Sequence, residues 1–153
     1  MVTSERAEKL FQFDGIGAVS VDGPGAVQQF FRDLEAELRT LSVREERTIG
    51  IGRLERIAAD RARANEVSAI VAARDEDGIA RMRAIDSEGS VLEDPFAARG
   101  SGAELAIGTL EAADRDVDLD SAESIVRDAL EGVSERDTET GEKIDTWRLS
   151  DDR

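Results

Sequence analysis

The sequence predicts one α+β domain in which sheets stack between layers of helices. Three observations carry that expectation. Apolar residues run at strand spacing in some segments and at three- and four-residue steps in others, so strand pairs alternate with helix pairs. The chain has 153 residues, enough for one real core and too few for two. Hydrophobic residues make up 40% of it, which supports folding despite the high charge. With no linker and no internal repeat, the expected domain covers residues 1–153, with a frayed tail at 150–153.

Leu10, Phe11 and Phe13 form a short apolar segment that breaks at Asp14-Gly15, and a second, Ile16–Val21, ends at Asp22-Gly23. The spacing predicts two strands joined by a tight turn. Pro24 suits the first turn of a helix. Along that helix Val27, Phe30, Phe31, Leu34, Leu38 and Leu41 share one face. A second helix is expected over about 48–64, with Ile49, Leu54, Ile57, Ala58 and Ala62 inward.

The period then changes. Residues 67–73 are small and mostly apolar, too short a run for a helix, and an acidic turn at 74–78 joins them to 79–85. These read as paired strands, with a further short strand at Ser90, Val91 and Leu92. A third helix starts near Ser101 and uses Leu105, Ile107, Leu110 and Ala113. Asp120 opens a fourth, with Glu123 completing a capping box and Ile125, Val126, Ala129, Leu130 and Val133 inward. Residues 143–149 form the closing strand, and Asp151, Asp152 and Arg153 the tail.

Charge is the strongest compositional signal. Thirty-five Asp and Glu oppose 20 Lys and Arg, a net charge of −15, and Lys9 and Lys143 are the only lysines. Such a composition belongs either to a disordered acidic segment or to a folded protein with an acidic shell adapted to a salt-loaded cytoplasm. Regular apolar periodicity favours the second. The same charge argues against nucleic acid, whose phosphates require Lys and Arg. Neither Cys nor His is present, which removes disulfides, thiolate nucleophiles, an imidazole base and His-ligated zinc. No cofactor or metal is expected. With no apolar run near the ~20 residues that span a bilayer and no charged-then-apolar leader, a soluble cytoplasmic protein with no membrane partner is expected.

Single motifs are weak. Gly50-Ile51-Gly52 fails as a dinucleotide fingerprint because Glu55 stands at the third glycine. Asp114, Asp116, Asp118 and Asp120 alternate as in a calcium loop, but Leu119 and Ile125 occupy the positions of its glycine and terminal glutamate, which leaves a solvated acidic loop. Gly100-Ser101-Gly102 lies at a helix start, where N–H groups can hold an anion, although taken alone Ser101 reads better as a plain N-cap. Asp137 and Thr140, between the last helix and the last strand, read alone as turn-formers.

Together and in order the pieces say more. Lys9-Leu10-Phe11-Gln12-Phe13-Asp14 comes first, then the helix containing Glu35-Ala36-Glu37-Leu38, then Ile85-Asp86-Ser87-Glu88-Gly89-Ser90-Val91-Leu92-Glu93-Asp94. Gly100-Ser101-Gly102, Gly108-Thr109-Leu110-Glu111 and the loop at Arg136-Asp137 follow. In this order and spacing, from Lys9 to Leu149, the chain is similar to the β-type subunits of archaeal proteasome core particles, members of the N-terminal nucleophile hydrolases. The resemblance implies a four-layer αββα sandwich. It also implies a site in which an N-terminal threonine attacks the peptide carbonyl with its own amine as base. Lys9 matches the lysine beside that threonine. Ser101, Asp137 and Thr140 match the network that orients it, with Thr140 where the family often has serine. Asp22 or Gly23, depending on a one-residue gap, matches the glycine whose N–H faces the oxyanion.

The departure from the family lies before Lys9. The family places two strands there, the first carrying the nucleophile and the second an orienting aspartate, whereas eight residues precede Lys9 here. Thr3 is the one threonine among them, and removal of Met1 would expose Val2 instead. The expectation is therefore a sandwich lacking its first two strands, in a non-catalytic β-like subunit with a structural or assembly role. Its partners would be proteasome-like subunits or copies of itself. Two other functions fit: an active threonine-type endopeptidase whose start lies upstream, and a stand-alone homo-oligomeric binding module. The last would use a sheet edge left unpaired, or an outward-packed helix face around Phe30 and Phe31.

The acidic shell makes a first prediction. In molar KCl the Debye length is about 3 Å and self-repulsion is screened. Far-UV circular dichroism is expected to report partial unfolding as salt falls to millimolar, and a constant spectrum would contradict the salt-adapted reading.

Overall fold

The computed structural model of the protein describes residues 2–4, 10–45, 48–100, 102–113, 116–136 and 144–152. Its elements are β1 (Val2–Ser4), β2 (Leu10–Phe13), β3 (Ile16–Val21), α1 (Pro24–Glu45), α2 (Ile51–Asn65) and β4 (Ser68–Arg74), then β5 (Ala80–Ile85), β6 (Val91–Leu92), α3 (Ala103–Glu111), α4 (Leu119–Arg136) and β7 (Ile144–Thr146). The predicted order holds, with one addition. Strand β1 precedes Lys9 and pairs antiparallel with β7, Thr3 opposite Asp145. No alternation in Met1-Val2-Thr3-Ser4 announces it, because its pairing partner lies at the far end of the chain.

Turn chemistry builds the main sheet, in which β2-β3-β4-β5-β6 are neighbours in that order and every pair is antiparallel. Asp14 and Gly15 take φ of 38° and 79°, the two left-handed residues of a type I′ hairpin, and set Phe13 opposite Ile16. The next two turns share one design. Asp75 Oδ1 accepts from the N–H groups of Asp77 (2.9 Å) and Ile79 (3.0 Å), while Gly78 adopts φ 78°. Asp86 Oδ1 accepts from Glu88 (3.0 Å) and Ser90 (2.9 Å), while Gly89 adopts φ 90°. In both, the aspartate side chain stands in for a missing ladder bond and the glycine closes the turn.

Helices α1 and α2 cover one face of this sheet. Val27, Phe30, Leu34 and Leu38 of α1 join Ile51, Leu54, Ala58 and Ala62 of α2 over Ile16, Ala18, Ala69, Val71 and Ala73. Phe30 is fully buried, and Phe31 stacks on Phe11 with ring centroids 5.6 Å apart. The expected outward aromatic face on α1 is thus corrected: both rings turn toward the sheet, where burial of their apolar area is worth most. Asn65 Nδ2 donates to Asp33 Oδ2 (3.1 Å) and Arg61 pairs with Glu37 (2.6 Å), tying the helices together. Arg83, on the same sheet face, pairs with Glu55 of α2 at 2.7 Å.

The β1–β7 ribbon, α3 and α4 lie on the opposite face. Trp147, just after β7, packs so closely over Gly17 that a Cβ at that position would collide with its indole ring. The arrangement is helices, five-stranded sheet, a second sheet of two strands, and helices. Two further expectations are corrected here. The cap of α4 is Asp118, whose Oδ1 accepts from the Ser121 N–H at 2.7 Å, whereas Asp120 and Glu123 are drawn to Arg148 (2.8 and 3.1 Å). Residues 150–152 are not frayed: Arg74 Nε donates to the Ser150 carbonyl (3.0 Å), and the Asp152 N–H donates to the Gly78 carbonyl (2.7 Å). Isolated acidic residues look like a solvated tail until a hairpin supplies donors.

Helix α2 ends in a Schellman arrangement. The Val67 N–H donates to the Ala62 carbonyl (3.0 Å) and the Glu66 N–H to that of Arg63 (3.3 Å), with Glu66 at φ 55°. Glycine normally takes that position because it has no Cβ to strain. Replacement Glu66→Gly is expected to stabilise the fold by roughly 1 kcal/mol, seen as a raised urea midpoint at unchanged slope. A lowered midpoint would show that the glutamate contributes more than its backbone costs.

Candidate functional site

The exit from β3 is where the backbone leaves regular geometry. Val21 ends the strand, Asp22 takes φ 132°, and the Val27 N–H donates to the Gly23 carbonyl (3.1 Å) to begin α1. A positive φ of that size suits glycine, and a side chain held there stores about 1–3 kcal/mol of strain. What holds it is the carboxylate: Asp22 Oδ2 accepts from the N–H of Ser68, the first residue of β4, at 3.1 Å. Of the two residues left open by the sequence for a glycine-type position, Asp22 has the glycine-like backbone, and Gly23 does not have positive φ.

A second glycine-built loop lies against this strand end. Gly100 has φ 102°, and a Cβ there would come 3.2 Å from Val21 Cγ1. Gly102, at φ 76°, is the N-cap of α3 and makes no side-chain cap bond. The Ala106 N–H donates to its carbonyl (3.1 Å), and the Ala103 N–H to that of Gly100 (3.2 Å). The plain reading of Ser101 as N-cap is therefore corrected: the cap is one residue later, at a glycine whose left-handed backbone lets the loop turn under Val21.

Ser101 itself lies outside the described residues, as do Lys9, Asp137 and Thr140. Their chain neighbours are placed. Lys9 directly precedes β2, Ser101 is flanked by Gly100, which packs on Val21 of β3, and by Gly102, the cap of α3, and Asp137 and Thr140 fall between α4 and β7. Strand β7 in turn pairs with β1, so Thr3 sits opposite Asp145. The described structure thus brings the loop around position 101 to the end of β3, and β1 to the strand that follows positions 137 and 140.

Electrostatics elsewhere serve structure. The Arg81 guanidinium, followed by the Ile79 N–H, holds the Asp75 carboxyl below its usual range. The N–H of Ser121 does the same for Asp118 at its cap. Arg148, then Thr146, lowers Glu123, and Glu123 together with Asp120 raises Arg148 in return. These groups, exposed or half-buried, are members of turns, caps and ion pairs away from the β3 exit. Among the described residues no three acidic side chains gather as a metal site, and no helix is long and apolar enough to cross a membrane.

The family model described as proteasome subunit matches residues 1–149. The chain belongs to the proteasome subunit family. It is similar to proteasome subunit beta 2 of Haloarcula marismortui, with 30% identity covering 99% of this chain and 67% of that one. Proteasome subunit beta of Natrialba magadii is 30% identical, over 99% of this chain and 64% of its own. Its counterpart from Methanosphaera stadtmanae is 32% identical, over 92% and 70% respectively. The chain spans about two thirds of the length of these curated relatives. Family membership carries the N-terminal nucleophile hydrolase type of α+β fold, and the four helices and antiparallel sheet agree with it. Several relatives come from halophilic archaea, in keeping with the acidic composition.

Two features of the proteasome-type fold here were not readable from the sequence. Nothing in Val21-Asp22-Gly23 says which residue takes the positive φ, and nothing in Gly100 names Val21 as its neighbour. Both are long-range facts. The strain at Asp22 is measurable by comparing two variants. Both lose the carboxylate, but Asp22→Ala keeps a side chain at φ 132° while Asp22→Gly does not. Asp22→Gly is expected to be more stable than Asp22→Ala by about 1–3 kcal/mol in urea unfolding. Equal midpoints would mean that the backbone there is unstrained.

Proposed function

We propose that this chain takes part in cytoplasmic protein degradation as a β-type proteasome subunit that does not itself cut peptides. Its role is to complete a core-particle-like ring with other proteasome subunits. The observation that carries this reading is the position of Thr3. It stands inside β1 between Val2 and Ser4, paired opposite Asp145, and its nitrogen belongs to the Val2–Thr3 peptide bond. The family chemistry needs a free amine on the threonine to accept the hydroxyl proton. An amide nitrogen has its lone pair delocalised into the carbonyl and accepts none. In this reading Lys9, Ser101, Asp137 and Thr140 keep the ammonium, hydroxyls and carboxylate of the family pattern, and Thr3 offers them no free amine to orient. Asp22 adds to the case, because an anionic side chain replaces glycine at the strand exit where a developing oxyanion would have to be stabilised.

The test is purification from the native host in molar salt, followed by intact mass, N-terminal sequencing, a partner list and fluorogenic-peptide hydrolysis. The expected result is an internal Thr3, no hydrolysis, and co-purifying proteasome subunits. A mature chain that begins with threonine and hydrolyses the peptides would make it a threonine-type endopeptidase instead. A protein that runs alone or only with copies of itself would remove the ring role and leave the homo-oligomeric binding module.

A further inference from the structure

The two faces of the main sheet are packed very differently. Toward α1 and α2 lies one continuous cluster of large side chains, including Phe30, Leu34, Leu38, Leu54 and Val71. On the α3–α4 side Val19, Ile70, Ala72 and Ala84 of the sheet are buried, but among the described residues the helices contribute a separate small cluster, Ala106 and Ala129, with Ala98 and Leu110 partly buried against it. Between α4 and the sheet there is a cavity of about 200 Å³, floored by Ala72 and Met82 and walled by Ala122, Val126, Trp147 and Leu149. Layers that bury little apolar area and leave space beneath them open at low free energy.

What fastens this layer is the segment after β7. Trp147 lies on Gly17 of β3. Arg148 reaches Asp120 (2.8 Å) and Glu123 (3.1 Å) on α4. Ser150 accepts from Arg74 Nε (3.0 Å), Asp151 Oδ1 accepts from the Ala80 N–H (2.8 Å), and the Asp152 N–H donates to the Gly78 carbonyl (2.7 Å). Within six residues the chain thus grips β3, α4 and both sides of the β4–β5 turn. Most of these bonds are exposed and individually weak. Acting together on one short strap, they decide whether the layer is seated.

We propose that residues 147–152 form a latch. Seated, the latch clamps α4 and the β1–β7 ribbon onto the five-stranded sheet. Released, it lets that layer lift off the cavity as one unit while α1, α2 and β2–β5 stay folded. The inference goes beyond the degradative role and does not rest on it, since it concerns only how the two halves are joined.

Hydrogen exchange with mass spectrometry on the whole chain in molar KCl tests it, with Trp147, the single tryptophan, as a second reporter. Amides of β7 and β1 are expected to exchange on the order of ten-fold or more faster than those of β3 and β4. Gly17→Ala wedges the indole off its seat. It should speed β7 exchange about ten-fold further and shift Trp147 emission to the red, with β4 unchanged. Asp151→Ala removes the strap's carboxylate, with its bond to the Ala80 N–H and its attraction for Arg81, without touching the core, and should move the same two readouts in the same direction. If Gly17→Ala unfolds the chain, Asp151→Ala alone decides. A common exchange rate for β7 and β4 in the unaltered protein overturns the proposal, as does Asp151→Ala with unchanged emission and unchanged β7 exchange.

Discussion

Strand β4 is enclosed on every side, and the rest of the molecule is arranged to allow it. It pairs with β3 along one edge and β5 along the other. Ala69, Val71 and Ala73 are fully buried beneath α1 and α2, while Ile70 and Ala72 are buried toward Trp147 and α4. A strand in that position has no access to water for its peptide groups, so all of them depend on its two neighbours. Enclosure also dictates composition. Its inward alanines oppose the small Ala58 and Ala62 of α2, and the helix approaches the sheet closely because neither surface carries bulk.

The two faces then diverge. Large side chains fill the α1–α2 face, and Arg83, a charged residue on it, is paired with Glu55 where the strand meets the helix. The other face is closed by a tryptophan on a glycine, by ion pairs to α4 and by backbone bonds to a hairpin. A protein with net charge −15 gains from such ion pairs locally while its whole surface repels itself, and salt screens both effects.

The candidate site illustrates how far a sequence reaches. Lys9, Ser101, Asp137 and Thr140 stand out by their order along the chain and their match to a family pattern, and none lies within the described residues. The surrounding frame is described: Gly100 beneath Val21, Asp22 strained and held by Ser68, and β1 joined to β7. Which of Asp22 and Gly23 takes the positive φ could not be read from letters, because the contact that enforces it is distant in sequence. A hydrogen bond from a strand 46 residues away holds Asp22 in that conformation.

Features governed by neighbours within a few residues were determined by the sequence itself. Asp14-Gly15 specifies its hairpin, the spacing of Val27, Phe30, Leu34 and Leu38 specifies the buried face of α1, and the continuous apolar run specifies a strand buried on both sides. Tertiary structure alone decided what depends on distant partners. The cap of α4 moved to Asp118 because Arg148 claims Asp120 and Glu123, β1 formed because β7 was there to receive it, and the acidic tail became a strap because the β4–β5 turn offered donors. A side chain's local options are written in its own chemistry, but which option is taken depends on groups that only folding brings within hydrogen-bonding reach.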